Sequence, residues 1–146
     1  MTLKFQVQLK IRKPVPEVFA AVVDPAKLSG YFVKSSSGPL AQGTTVQWSF
    51  AEAPGPFDVV VSEVVKDQRI TFEWPVTGGG YLTRVEMAFE ALDGGDTMVR
   101  INESGWHEDE VGATASYGNA GGWMHMMCCL KAWLEYGINL RAGGAR

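Results

Sequence analysis

The sequence predicts an α+β fold in which a curved antiparallel sheet wraps around one long C-terminal helix, with two short helices after the first strand. Three observations carry this expectation. Apolar and polar residues alternate at the start of the chain and again in several later segments. Turns rich in Gly, Pro and Asp separate those segments at hairpin spacing. A long proline-free stretch closes the chain.

Leu3, Phe5, Val7, Leu9 and Ile11 alternate with Lys4, Gln6, Gln8, Lys10 and Arg12, which describes a strand with one dry face and one wet face. Pro14 and Pro16 end that strand and suit the first turn of a helix, where Val18, Phe19, Val22 and Val23 share one side. Asp24-Pro25 closes this helix and caps a second one running through Leu28 to about Gly30. Val46, Trp48 and Phe50 then share a parity, and Phe57 to Val65 is a β-branched run. After a turn at 66–69, Ile70, Phe72 and Trp74 alternate with Thr71 and Glu73. Val85, Met87, Phe89 and Ala91 follow, and the turn Asp93-Gly94-Gly95-Asp96 sets Thr97, Val99 and Ile101 opposite them. Hairpins in series imply a meandering antiparallel sheet of about six strands beyond the first.

From about Ser116 to Asn139 the pattern predicts a single helix about 35 Å long at ~1.5 Å per residue. Its polar positions are few (Asn119, His125, Lys131, Glu135), so most of its circumference reads as apolar. Such a helix is expected in the concave side of the sheet rather than at the surface. Gly143, Gly144 and Arg146 read as a frayed tail. A sheet curved around one helix leaves a gap between them, and a pocket is expected there.

The composition narrows the function classes. A chain of 146 residues reads as one domain spanning 1–146. A net charge of −3, with 20% charged and 46% hydrophobic residues, describes a folded protein with no electrostatic reason to bind nucleic acid. No apolar run approaches the ~18 residues of a membrane span, and Met1-Thr2-Leu3-Lys4-Phe5 is a strand pattern rather than a secretory signal. Cys128 and Cys129 are adjacent within a helical pattern that a vicinal disulfide would distort, so both read as reduced thiols of a cytoplasmic protein. Neither belongs to a CxxC pair, which leaves a zinc site without support.

The aromatic and methionine inventory is the most informative feature. Trp48, Phe57, Phe72, Trp74 and Met87 come from the strands, Trp106 from just before the last helix, and Trp123, Met124 and Met127 from the helix itself. Any one of them is readable as core. Together they are large or adaptable side chains where a uniquely packed core favours Leu, Ile and Val, and they form the expected lining of a cavity for a small apolar or aromatic molecule. Four consecutive residues, His107-Glu108-Asp109-Glu110, point in four directions, so they read as a solvated loop or acidic first turn rather than a metal site. Glu63, Glu73, Glu86, Glu90 and Glu103 are placed at wet-face or strand-edge positions, and His125 is read as a structural histidine. Gly78-Gly79-Gly80 lacks the Lys-Ser or Lys-Thr of a phosphate loop and reads as a flexible connection at the pocket mouth. No constellation demands catalysis, and no catalytic residue, metal ligand or cofactor is assigned. The alternative to a binding module is a cyclase or hydrolase-type enzyme using Glu103, His107 or His125 at the rim.

Ile11, Pro14, Val15, Val18 and Phe19, then Asp24-Pro25 with Leu28, and Gly43-Thr44 with Trp48 form one ordered set of motifs. It continues through Arg69-Ile70-Thr71-Phe72-Glu73-Trp74, Glu103-Ser104-Gly105-Trp106, Gly122-Trp123, Met127, Leu130-Lys131 and Leu134-Glu135. In these, from Ile11 to Glu135, the chain resembles the heat-shock-protein ATPase activator homologue family of the START-like, polyketide-cyclase (SRPBCC) superfamily. Tyr31 stands where the family more often has Trp. The resemblance implies the helix-grip fold, which hosts carriers, cyclases and chaperone partners alike, and so adds a second alternative, an interaction module for a chaperone ATPase. It covers only the C-terminal part of the eukaryotic activator, so the part that would clamp a chaperone has no counterpart and a chaperone partner is not expected. An exposed edge strand makes a homodimer compatible with the fold.

Overall fold

A computed structural model describes residues 2–144; Met1 and Arg146, which entered the reading of the two termini, lie outside them. Strand β1 (Lys4–Ile11) is followed by α1 (Val15–Val23) and α2 (Pro25–Leu28). Six more strands follow: β2 (Ser35–Ser36), β3 (Thr45–Ser49), β4 (Pro56–Val65), β5 (Arg69–Pro75), β6 (Leu82–Ala91) and β7 (Thr97–Ser104). The long helix α3 (Glu110–Tyr136) closes the fold. The seven strands form one antiparallel sheet in the order β1-β7-β6-β5-β4-β3-β2. Consecutive strands from β2 to β7 are hydrogen-bonded neighbours, and β1 adds to the far side of β7, pairing Val7 with Ile101 and Leu9 with Val99. A bulge between Val61 and Glu63 shifts the register of β4 against β5; an extra residue on one strand bends it and increases its twist.

Local chemistry accounts for the helix ends. Pro14 stands at the N-cap of α1 with extended backbone, and Pro16 lies in the first turn, where its missing N–H costs nothing. The Asp24 carboxylate accepts from the Ala26 N–H at 2.9 Å and caps α2. α3 begins at Glu110, six residues before the expected Ser116. Its start is set by Asp109, whose Oδ1 accepts from the Gly112 N–H at 2.7 Å, so part of the acidic run is a helix cap. It stops at Gly137, which adopts the left-handed conformation that ends many helices.

The dry face of the sheet and the inner face of α3 enclose the core. Val46, Trp48, Val59, Val61, Ile70, Phe72, Val85, Met87, Val99 and Ile101 meet Trp123, Met126, Met127 and Leu130 there. α1 covers the same core with Val18, Phe19 and Val22, and Phe19 meets Phe89 edge-on at 5.2 Å. Tyr31 is fully buried, donates to the Ala21 carbonyl at 3.0 Å and lies 5.5 Å from the Trp133 ring. Burial, and after it the nearby Cys129, push its phenol well above the usual range.

The outer face of α3 differs from expectation. Val111, Tyr117 and Cys128 are exposed, so the helix lies in the concavity but is half a surface element. The reason is composition: Gly and Ala crowd its first half and count as apolar, yet they bury little area. The tail also differs. Arg141–Gly143 forms a 3-10 turn, the Ala142 N–H donates to Asn139 Oδ1 at 3.0 Å, and Arg141 pairs with Glu52.

The C-terminal half of α3 is bolted to β1 by Glu135, whose side chain is only 3% exposed. Glu135 accepts from the Arg12 backbone N–H at 2.9 Å, from Arg12 Nε at 2.7 Å and from Lys131 Nζ at 2.6 Å. Burial alone would raise its pKa, but the hydrogen bonds from Arg12 and Lys131 outweigh that and hold it at about 2, against an ordinary 4.5. A carboxylate with a depressed folded pKa stabilises the protein above its unfolded pKa, and that stabilisation is lost as pH falls through the folded value. Solvent screening at the partly exposed cations discounts the contribution to about 1–2 kcal/mol. Denaturant melts from pH 6 down to pH 2 should therefore show Glu135→Gln converging with the unaltered protein at the acid end. A gap of constant size across that range would contradict this role.

Candidate functional site

The gap opens between the N-terminal half of α3 and the strand ends of β3, β4 and β5, as a cleft of about 420 Å³. On the helix side the lining comprises Ala115, Gly118, Asn119 and Gly122, spaced so that they share one face, with Trp123 and His125 beside them. A Cβ added at Gly118 or Gly122 would meet nothing within 4 Å. The cleft therefore exists because α3 presents small residues where a filled core would have Leu or Ile. Opposite them stand Phe50, Phe57, Trp74 and Trp106, with Phe32 and Arg141 toward the chain terminus. Gly105, with φ of 108°, turns the chain sharply as it leaves β7; Trp106 follows directly and stacks on Phe5 at 5.5 Å.

Behind the aromatic wall lies Glu103, 1% exposed. This corrects the expectation of a wet-face or rim carboxylate. Glu103 belongs to the inward parity of β7 with Thr97, Val99 and Ile101, a register that simply continues one step further than the apolar residues do. Its Oε1 accepts from Trp123 Nε1 at 2.8 Å, and its Oε2 from Thr83 Oγ1 at 2.6 Å and Trp74 Nε1 at 3.0 Å. Asn119 Nδ2 donates to both oxygens, at 3.1 and 3.0 Å. Register explains the meeting: Trp74 sits opposite Thr83, and Glu103 opposite Val85, two residues along the same face. Four neutral side chains from β5, β6 and α3 thus converge on one buried carboxylate, and hydrogen bonding of this kind makes such burial tolerable.

Of the nine residues expected to line a cavity, Phe57, Trp74, Trp106 and Trp123 are on the cleft wall. Trp48, Phe72, Met87 and Met127 are fully buried in the core, and Met124 is a partly buried residue packed against it. Trp48 meets Phe72 at 5.5 Å and Trp74 at 6.0 Å, while Trp74 and Trp123 lie 5.2 Å apart. The aromatic cluster is thus two layers deep, with the outer layer on the cleft. Asn119 and the small residues of α3 were not singled out as lining; the spacing of 115, 118 and 122 is the signal that marks them.

The titratable groups divide clearly. His107 stacks on Tyr81 at 3.7 Å, and its backbone N–H donates to the Tyr81 oxygen at 3.0 Å, outside the cleft lining. His125 lines the cleft, with Nε2 3.6 Å from Cys129 Sγ. Burial pushes the Cys129 thiol up, against the opposing charge of Arg141, so this pair lacks the low-pKa environment of a reactive cysteine. Arg141 pairs with Glu52 at the rim and lies 5.8 Å over the Phe32 ring. Thr77 and Val76, just before the triple glycine, line the β5–β6 side. Among the described residues no three His, Cys, Asp or Glu side chains come together as a metal site, and no helix is long and apolar enough to cross a membrane.

A seven-stranded antiparallel sheet cupped around a terminal helix, with a cleft between them, is the helix-grip architecture of the START-like, polyketide-cyclase superfamily. Residues 12–135 match the model of the Activator of Hsp90 ATPase homolog 1-like proteins, and the chain belongs to that family. Among solved structures it is similar to protein SSP2350 from Staphylococcus saprophyticus, at 28% identity and a TM-score of 0.79, over 93% of this chain and 94% of that one. It is also similar to DynU16, a protein of the dynemicin biosynthetic locus, at 23% identity and a TM-score of 0.82. That match covers 94% of this chain but 49% of DynU16, so the chain spans about half of DynU16's length. The Aha1 dimer from Colwellia psychrerythraea matches at 20% identity and a TM-score of 0.77, over 92% of this chain and 97% of that one. No curated protein matches the chain. The fold is consistent with ligand binding.

Proposed function

We propose that the protein binds a small, largely aromatic molecule in the cleft between the sheet and α3. One observation carries the reading: Ala115, Gly118 and Gly122 leave about 420 Å³ open against a wall that includes Phe57, Trp74, Trp106 and Trp123. That volume falls within the ~300–1,000 Å³ usual for small-molecule sites, and the wall is apolar with few polar groups, as such sites are. Phe57, Trp74, Trp106 and Trp123 are the contacts, and Trp48, Phe72, Met87, Met124 and Met127 support them from behind. The place of DynU16 in a biosynthetic locus supports a small-molecule guest. The reading takes the protein to be cytoplasmic, in keeping with two free cysteines, and compatible with a homodimer, since the Colwellia relative is a dimer.

The test is a thermal-shift panel of two-ring aromatics and flavonoid-like compounds on the unaltered protein and on Gly118→Leu. The leucine should fold, because its Cβ meets open space and Gly is about 1 kcal/mol worse than other residues inside a helix. Hits should raise the melting temperature of the unaltered protein and leave Gly118→Leu unmoved, since a ligand stabilises only the form it binds. A panel without a hit at millimolar concentration would overturn the reading.

A further inference from the structure

Resting on that binding reading, we infer that the cleft selects aromatic guests carrying a hydrogen-bond donor, such as a phenolic hydroxyl, and that Asn119 is the residue that reads it. Donors and acceptors around Glu103 decide which way the Asn119 amide faces. Glu103 receives indole N–H groups on both of its oxygens, from Trp123 on Oε1 and from Trp74 on Oε2. An indole N–H can only donate, so the carboxylate is held as an acceptor at both ends. Asn119 meets it with Nδ2, the donor end of its amide. An amide whose nitrogen is committed in this way has its oxygen fixed as well. Asn119 lines the cleft, and its Oδ1 accepts no hydrogen bond among the described residues.

Most other polar groups of the lining are already engaged, Thr77 and the second ring nitrogen of His125 excepted. The N–H groups of Trp74 and Trp123 are turned to Glu103, so toward the cleft these rings offer carbon and π surface. The Trp106 Nε1 is unpartnered but covered by protein, out of reach of a guest. Arg141 is engaged with Glu52, and His125 has Nε2 against Cys129. Beside Trp74 and Trp123 the cleft therefore presents flat apolar surface with the Asn119 oxygen as an open acceptor. A planar guest with a hydroxyl satisfies both, whereas an ether or ketone of the same shape leaves the oxygen facing another oxygen. Glu103 is a positioning residue here: it never touches the guest but decides which end of the Asn119 amide does.

The experiment measures affinity for 2-naphthol and for 2-methoxynaphthalene, with the unaltered protein, Asn119→Leu and Glu103→Gln. The unaltered protein should prefer 2-naphthol about tenfold, the equivalent of one hydrogen bond. Asn119→Leu should lower that preference to about one while still binding 2-methoxynaphthalene. Glu103→Gln supplies an amide N–H that the Asn119 oxygen can accept from, freeing Nδ2 to turn toward the cleft, so the preference should shrink or reverse. A merely structural glutamate would weaken both ligands together and leave their ratio alone. Equal affinities in the unaltered protein, or an unchanged ratio in both variants, would overturn this inference while leaving the binding reading in place. Binding of neither compound to the folded protein would overturn the binding reading and this inference with it.

Discussion

Glu103→Leu should cost about 3–5 kcal/mol of stability in a denaturant melt, more than its similar size suggests. Leucine would fit the apolar surroundings, but it strips the acceptor from Trp74, Thr83, Asn119 and Trp123 at once. The Thr83 hydroxyl can rotate and Asn119 is partly solvated, so those two find other partners. The indole of Trp123 is buried and has none. Each buried donor left unsatisfied costs about 1–3 kcal/mol, and a network loses more than its pairs suggest. A melting midpoint within error of the unaltered protein would show that the four donors are satisfied some other way and that the cleft wall does not depend on this carboxylate.

Trp123→Ala should be comparably severe, at about 3–5 kcal/mol for deletion of a buried aromatic side chain. The ring is 2% exposed and stands 5.2 Å from Trp74, 5.8 Å from Phe32 and 6.2 Å from Phe72. It joins the two layers of the aromatic cluster to α3 and also donates to Glu103. Its loss removes packing and a donor together, and it enlarges the cleft. An unchanged midpoint would place the ring in solvent and the helix in a different phase from the one described.

The two variants also show which parts of the molecule were legible in the sequence. Strand parity was for β1, β3, β5, β6 and β7, which follow the alternation of apolar residues because each has one face on the core and a one-residue slip would expose it; the β-branched run of β4 marks a strand without marking its faces. The short α1 and α2 follow from proline and Asp24. The two-residue β2 was not legible, since Ser35 and Ser36 carry no apolar face and take their place only by pairing with Ser49 and Trp48. At Glu103 charge and parity conflict: a carboxylate suggests the wet face, whereas Thr97, Val99 and Ile101 point the position inward, and parity prevails because hydrogen bonds satisfy the charge. Its partners could not be found from local pattern, since Trp74 and Thr83 reach it through strand register and Asn119 and Trp123 through the packing of α3 on the sheet. The cleft itself was expected from the architecture, but its cause was not. Gly118 and Gly122 appear as harmless small residues until α3 is set against the wall they fail to touch. The Arg141–Glu52 pair, which holds the terminal turn at the rim, has no local sequence signal either.

The claim that an aromatic guest occupies this cleft is tested most directly by the indole N–H signals of the five tryptophans in a nitrogen-15 correlation spectrum. Single Trp→Phe substitutions assign the signals, and 2-naphthol is then titrated into the protein. Trp74, Trp106 and Trp123 line the cleft, whereas Trp133 packs on Tyr31 away from its wall. With a guest in the cleft, the first three shift saturably and Trp133 stays stationary. Five stationary signals, or movement confined to Trp133, would contradict it.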